Sequence, residues 1–88
     1  MGKHIVLTGR VQGVGFRYFT QMQAHKYNIK GIVRNLPDYF VEIFCEGEEK
    51  NLTHFIEIIK SGPVLSRITK IHIEEYPYKG YTEFQIKG

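Results

Sequence analysis

The stretch Gly9-Arg-Val-Gln-Gly-Val-Gly-Phe-Arg17 joins two segments of different character. His4 to Thr8 before it is apolar and β-branched, which is typical of a strand, and Tyr18 to Tyr27 after it has apolar residues at helical spacing. The stretch is therefore predicted to be a loop between a strand end and a helix start. Its three glycines let the backbone curl and approach a ligand closely, while the helix N-terminus and the Arg17 guanidinium suit a phosphate-like anion.

The spacing within this loop excludes the common nucleotide motifs. The loop lacks the Gly-Lys-Ser/Thr ending of a Walker A sequence, and Tyr18 stands where the third glycine of a dinucleotide fingerprint would be. From its chemistry alone, the loop is either a site for one small anion or an ordinary turn with Arg17 in solvent.

Composition favours one small globular domain over residues 1–88. Hydrophobic residues make up 42% of the chain, which suffices for a folded core, and the net charge of +3 is compatible with an anionic substrate. The single cysteine excludes an internal disulfide and a cysteine-based metal site. With neither a signal sequence nor a membrane-spanning apolar run, the sequence predicts a reduced, cytoplasmic setting without a membrane partner.

Periodicity and turn signals define the other elements. They predict strands at 3–8, Gly31–Leu36, Phe40–Glu46, Ile68–Tyr76 and Phe84–Ile86, helices at 16–28 and 48–60, and a hairpin turn at 36–39. The order β-α-β-β-α-β, followed by a short extra edge strand, predicts an α+β fold of the ferredoxin-like type. In this fold an antiparallel sheet carries two helices on one face.

Three further side chains, two histidines and one cysteine, are of types that can act in catalysis or metal binding, and all three are interpreted as structural. His4 belongs to a strand face, His25 lies on the polar side of the first helix, and Cys45 is a small buried hydrophobe on an alternating strand. None has neighbouring residues at ligand or catalytic spacing.

Two motifs resemble one known family. The stretch from Gly9 to Arg17 resembles the first signature of the acylphosphatase family. Gly31-Ile-Val-Arg-Asn35, continuing into Leu36-Pro-Asp38, Val41 and Gly47, resembles the second. The resemblance covers essentially the whole chain, and the family has the ferredoxin-like architecture that the element order predicts.

The resemblance implies a reaction and a site. It implies hydrolysis of an acyl phosphate to carboxylate and inorganic phosphate. No metal or other cofactor is expected, because no clustered His, Cys or carboxylate ligand set stands beside the loop. Arg17 would bind the phosphate, Asn35 would position the attacking water, and the binding loop would comprise Val11, Gln12, Gly13, Val14, Gly15, Phe16 and Arg17. Inorganic phosphate would be both product and inhibitor, and the protein would act as a monomer. Without the motif, Asn35 would be interpreted as a strand-end cap or turn residue.

The hairpin turn departs from the family pattern. The family has glycine and then a small hydroxyl residue after the aspartate, whereas this chain has Tyr39 and Phe40. Because tyrosine disfavours positive φ, we expect either another turn type or Asp38 in the strained position. The missing hydroxyl at Phe40 is expected to alter the support of Asn35.

Two other functions remain as alternatives. The first is a non-catalytic phosphate-binding module, since acylphosphatase-like domains also occur in hydrogenase-maturation proteins that process carbamoyl phosphate. The end of this chain at Gly88 favours a free-standing enzyme. The second is an RNA-binding sheet of the same strand order, which is disfavoured because the basic-Gly-aromatic pattern is absent from the third strand. No nucleic-acid partner is therefore expected.

Overall fold

The computed structural model describes residues 1–88 and contains five strands and two helices. The elements are β1 (Gly2–Arg10), α1 (Phe16–Lys26), β2 (Lys30–Asn35), β3 (Val41–Glu46), α2 (Glu49–Ser61), β4 (Arg67–Tyr76) and β5 (Phe84–Lys87). Every predicted element is present, with ends that differ by one or two residues. Helix α1 ends early because Asn28 takes the left-handed conformation, at φ 56°, which an α-helix does not continue.

The sheet has the order β4-β1-β3-β2-β5. Strands β1 to β4 pair antiparallel, as predicted for a ferredoxin-like fold, with Ile5 opposite both Ile43 and Ile73. Strand β5 lies at the edge, as predicted for the short extra strand, and it pairs parallel to β2, with Gly31 opposite Phe84. The sheet is therefore mixed, and β5 places the last residues of the chain beside β2 and α1.

The core lies between the sheet and the two helices. Strand residues of a single face meet apolar residues at helical spacing, among them Phe16 of α1 and Phe55 of α2, both at most 1% exposed. Full burial of one such side chain contributes about 1.5–3 kcal/mol. Both helices thus cover the same face, and the loop after β1 is anchored at its two ends by buried Val11 and Phe16.

Cys45 belongs to this core. It lies on β3, the middle strand of the sheet, and is 1% exposed. Burial raises the pKa of its thiol to about 12, so the nucleophilic thiolate is disfavoured. The interpretation of Cys45 as a buried hydrophobe is confirmed.

The opposite face of the sheet carries a charged network instead of a helix. The Glu42 carboxylate accepts hydrogen bonds from His4 Nε2 at 2.7 Å and from Arg34 Nε at 2.6 Å, and His4 stacks on Phe44 with ring centroids 4.5 Å apart. His4 is therefore a strand-face residue, as interpreted from the sequence. The network ties β1, β2 and β3 together across that face.

The turn between β2 and β3 is strained at two residues. Asp38 and Tyr39 have φ values of 65° and 66°, in the left-handed region that glycine tolerates best. Asp38 therefore takes the strained position, as one of the two expected outcomes, and Tyr39 takes it as well despite the preference of tyrosine for negative φ. The turn Pro37–Tyr39 is solvent exposed.

Candidate active site

The loop between β1 and α1 has the backbone expected for an anion cradle. Gly13 and Gly15 have φ values of 74° and 78°, and an added Cβ at either would meet no atom within 4 Å. The two glycines therefore serve the backbone conformation and leave open space in front of the loop. Gly9, which the sequence placed in the loop, instead lies in β1 at the register shift against β4.

The N-terminus of α1 is open to a ligand. Gly15 is the N-cap, no side chain caps the helix, and the first turn contains no acidic residue. The first N–H groups of a helix have no partner within the helix, and the helix dipole makes this end electropositive. The loop therefore delivers a set of free N–H donors to one point.

Arg17 lies in the first turn of α1 beside those donors. Its Nη1 donates a hydrogen bond to the Lys87 carbonyl oxygen of β5, at 3.2 Å. It forms no salt bridge with any carboxylate. One N–H group thus holds the guanidinium in place, and the remaining donors and the uncompensated charge are available to an anion.

Asn35 ends β2 on the other side of the same pocket. Its Oδ1 is the one buried side-chain nitrogen or oxygen atom of the chain without a hydrogen-bond partner. A strand-end cap would use its amide to bond the neighbouring backbone, and Asn35 makes no such bond. Unsatisfied buried polar atoms are rare in folded proteins and often belong to functional sites.

The pocket has a volume of about 210 Å³. Residues that the sequence analysis proposed form most of its wall, namely Val11, Gly13, Gly15, Phe16, Arg17 and Asn35. Two proposed loop residues lie outside the wall. Val14 packs against the core, and the Gln12 side chain binds backbone of the β2–β3 turn.

Two wall residues, Tyr18 and Ile86, were not predicted from the sequence. Tyr18 follows Arg17 and is 63% exposed, so helical periodicity would have placed it on the solvent side of α1. Ile86 reaches the pocket only because β5 pairs beside β2, and no local sequence signal encodes that long-range pairing.

No three His, Cys, Asp or Glu side chains come close enough together to bind a metal ion. Neither helix has the length and apolar character needed to cross a bilayer.

Fold and site together define a ferredoxin-like α+β protein with a glycine-rich loop and a small pocket at a strand–helix junction. A family model described as Acylphosphatase matches residues 3–86. An acylphosphatase of Treponema denticola is 44% identical over 96% of this chain and 89% of its own length. The chain belongs to the acylphosphatase family, whose members are hydrolases acting on acid anhydrides.

Solved structures agree with this assignment. The crystal structure of acylphosphatase from Bacillus subtilis superposes with a TM-score of 0.94 at 42% identity, covering 99% of this chain and 98% of that one. Full-length HypF, in its phosphate- and nucleotide-bound form, matches with a TM-score of 0.89 at 43% identity. That match covers 99% of this chain but 12% of HypF, so the fold also occurs as a small part of a larger protein.

Proposed function

We propose that this chain hydrolyses the carboxyl–phosphate bond of a small acyl phosphate, with Arg17 and Asn35 as its catalytic residues. One observation carries the proposal: a single pocket holds a glycine loop with free N–H donors, an arginine without a carboxylate partner and an asparagine without a hydrogen-bond partner. The pocket size suits a phosphoryl group with a small acyl substituent.

Hydrolysis of an acyl phosphate needs few catalytic groups other than those that line the pocket. The leaving carboxylate has a conjugate acid of pKa about 4, so it departs without being protonated and needs no general acid. Phosphoryl transfer proceeds through a loose transition state in which positioning and charge stabilisation supply most of the catalysis. An arginine, backbone N–H groups and one amide therefore suffice.

The binding loop holds the phosphoryl oxygens. In this assignment the N–H groups from Val11 to Arg17 point at the phosphate, and the Arg17 guanidinium binds two oxygens with its planar fork of donors. Negative charge on the equatorial oxygens is stabilised in both ground state and transition state. The hydrogen bond to the Lys87 carbonyl oxygen keeps the guanidinium oriented before substrate arrives.

Asn35 positions the attacking water. An amide has no useful basicity, so its contribution is orientation through hydrogen bonds that the folded chain leaves unused. A loose transition state requires little activation of the water, which makes orientation sufficient.

The proposal extends to the oligomeric state, the location and the partners of the protein. We propose that the protein acts as a monomer, and that it is cytoplasmic because a lone free cysteine fits a reducing compartment. Inorganic phosphate leaves as product and competes with substrate. No nucleic acid, metal or other cofactor takes part.

A non-catalytic phosphate-binding module is the second candidate. It is kept because the same fold occurs as a small part of full-length HypF, a protein solved in a phosphate- and nucleotide-bound form. Both candidates bind phosphate, and they differ in whether acyl phosphate is turned over.

The test is release of phosphate from acetyl phosphate and from carbamoyl phosphate, with and without a chelating agent. We expect multiple turnovers at equal rates in both conditions, competitive inhibition by inorganic phosphate, and loss of both inhibition and most turnover in Arg17→Ala. Arg17→Lys should recover little activity, since an ammonium lacks the planar fork. Arg10→Ala is the matched control, because Arg10 lies in β1 outside the pocket wall. Phosphate binding without turnover would favour the module.

A further inference from the structure

We infer that Gln12 is a positioning residue of this hydrolysis, which fixes Asn35 relative to the binding loop and does not bind phosphate itself. The inference rests on the proposed function and changes the role that the motif gives Gln12. Its basis is a pair of hydrogen bonds, here called the loop–turn clamp, that joins Gln12 to Leu36 and Phe40.

The clamp uses both donors of the Gln12 amide. Nε2 donates to the Leu36 carbonyl oxygen at 3.0 Å and to the Phe40 carbonyl oxygen at 2.8 Å. A glutamine NH₂ group has two hydrogens, and its remaining polar atom is a carbonyl oxygen that only accepts. A phosphate oxygen at neutral pH needs donors, so the Gln12 side chain has nothing left to offer it.

The clamp acts at the residue next to Asn35. Leu36 directly follows Asn35, and the Leu36 N–H donates to the same Phe40 carbonyl oxygen, at 2.8 Å. The Gln12 amide thus sits across the mouth of the β2–β3 turn and closes it together with this backbone bond. Gln12 lies within the binding loop, so the clamp links the phosphate side of the pocket to the water side.

Few contacts other than the loop–turn clamp stabilise the β2–β3 turn. Asp38 and Tyr39 are strained at positive φ, and residues 37–40 are exposed and bury little surface against the core. The Asn35 side chain makes no hydrogen bond of its own. Its position therefore depends on the backbone on either side, which is β2 pairing before it and the clamp after it.

The first test compares Gln12→Met with Gln23→Met. Methionine keeps the length of glutamine without its donors, and Gln23 lies on α1 outside the pocket wall and forms no side-chain hydrogen bond. For acetyl phosphate we expect Gln12→Met to lower kcat by about tenfold, since small misplacements of a positioned group cost one to two orders of magnitude. The inhibition constant of inorganic phosphate should change less than twofold, and Gln23→Met should behave as wild type.

Two results would overturn the inference. A phosphate inhibition constant that rises as much as kcat falls would return Gln12 to the anion site. An unchanged kcat would mean that the clamp does not contribute to turnover. If Gln12→Met does not fold by circular dichroism, the comparison is made in the Tyr39→Gly background, where glycine removes strain at the turn, and the same results are expected.

A double-mutant cycle tests whether Gln12 acts through Asn35. In an Asn35→Ala background there is no amide to position, so Gln12→Met should lower kcat no further. Another tenfold loss in that background would show that the two residues act independently and would reject the positioning role. If wild-type protein does not hydrolyse acyl phosphates at all, the proposed function fails. If wild type and Gln12→Met turn over equally, only the clamp fails.

Discussion

At the scale of single residues, substitution of Asn35 should lower catalytic activity with little effect on stability. Because its side chain makes no hydrogen bond and leaves a buried oxygen unsatisfied, Asn35→Ala should change the free energy of unfolding by less than about 1 kcal/mol. If the amide orients water, kcat should fall by about a hundredfold, equivalent to roughly 3 kcal/mol of transition-state stabilisation. Inhibition by inorganic phosphate should stay near its wild-type strength. The measurements are a urea midpoint, a kcat and a phosphate inhibition constant.

The reverse pattern would give Asn35 a structural role. A variant that is destabilised by more than 1 kcal/mol, with full turnover of the folded fraction, would remove Asn35 from the catalytic assignment. Arg17 and the loop N–H groups would then make up the whole site.

Ionisation of the Glu42 carboxyl makes the stability of the fold depend on pH. Burial alone would raise the pKa of its carboxyl, but the hydrogen bonds from His4 and Arg34 outweigh burial, and the pKa lies below its ordinary value of 4.5. A depressed pKa in the folded state means that the unfolded chain takes up a proton first as pH falls. The stabilisation from Glu42 is therefore fully present above about pH 5 and is lost as pH falls toward the folded-state pKa.

Glu42→Gln tests this dependence. We expect the variant to be less stable than wild type at pH 7 by about 1–3 kcal/mol, the range for a charge-assisted hydrogen bond, and the difference to shrink below pH 4.5. The measurement is the free energy of unfolding in urea at several pH values. Glu74→Gln is the matched control, because Glu74 also contacts His4 but its carboxylate is exposed, and it should change stability little. A Glu42→Gln deficit that does not shrink at all as pH falls below 4.5 would contradict the assignment.

At the scale of elements, the sequence predicted the local structure and the ferredoxin-like sheet, but not the partner of β5. Helix α2 follows from Leu52, Phe55, Ile56 and Ile59 at one helical face, and all four are buried. Parallel pairing of β5 was missed because a four-residue strand has no periodicity that reveals its partner. The turn was predicted in part, since positive φ at Asp38 follows from turn chemistry, whereas positive φ at an exposed tyrosine opposes its own preference.

For the candidate site, too, the sequence indicated which residues take part but not which distant residues their side chains contact. Motif resemblance indicated Arg17 and Asn35, and both lie in one pocket. The motif assigned Gln12 to the binding loop without indicating where its side chain points, because that direction depends on a turn more than twenty residues later in the chain. Contacts of that separation arise only when the sheet assembles, so they are not readable from a local pattern.

At the scale of the whole molecule, the pocket depends on chain segments that are far apart in sequence. The binding loop precedes α1, Asn35 ends β2, and the Lys87 carbonyl oxygen that orients Arg17 lies in β5. Strands β2 and β5 must therefore both pair before the site is complete. Local fraying of the short edge strand β5 should loosen the Arg17 guanidinium before it disturbs the core.

The reactivity of the buried Cys45 thiol can be used to measure how often the folded core opens. It is the one cysteine of the chain, it lies on the middle strand, and its thiolate is suppressed while the strand is covered. A thiol-specific reagent at pH 8 can therefore modify only molecules in which the core between the sheet and the helices has opened around Cys45. We expect labelling under native conditions to be slower than in concentrated urea by a factor on the order of 10³ or more. That ratio, followed by mass spectrometry without any denaturant titration, would measure how often the centre of the sheet is exposed in the working enzyme.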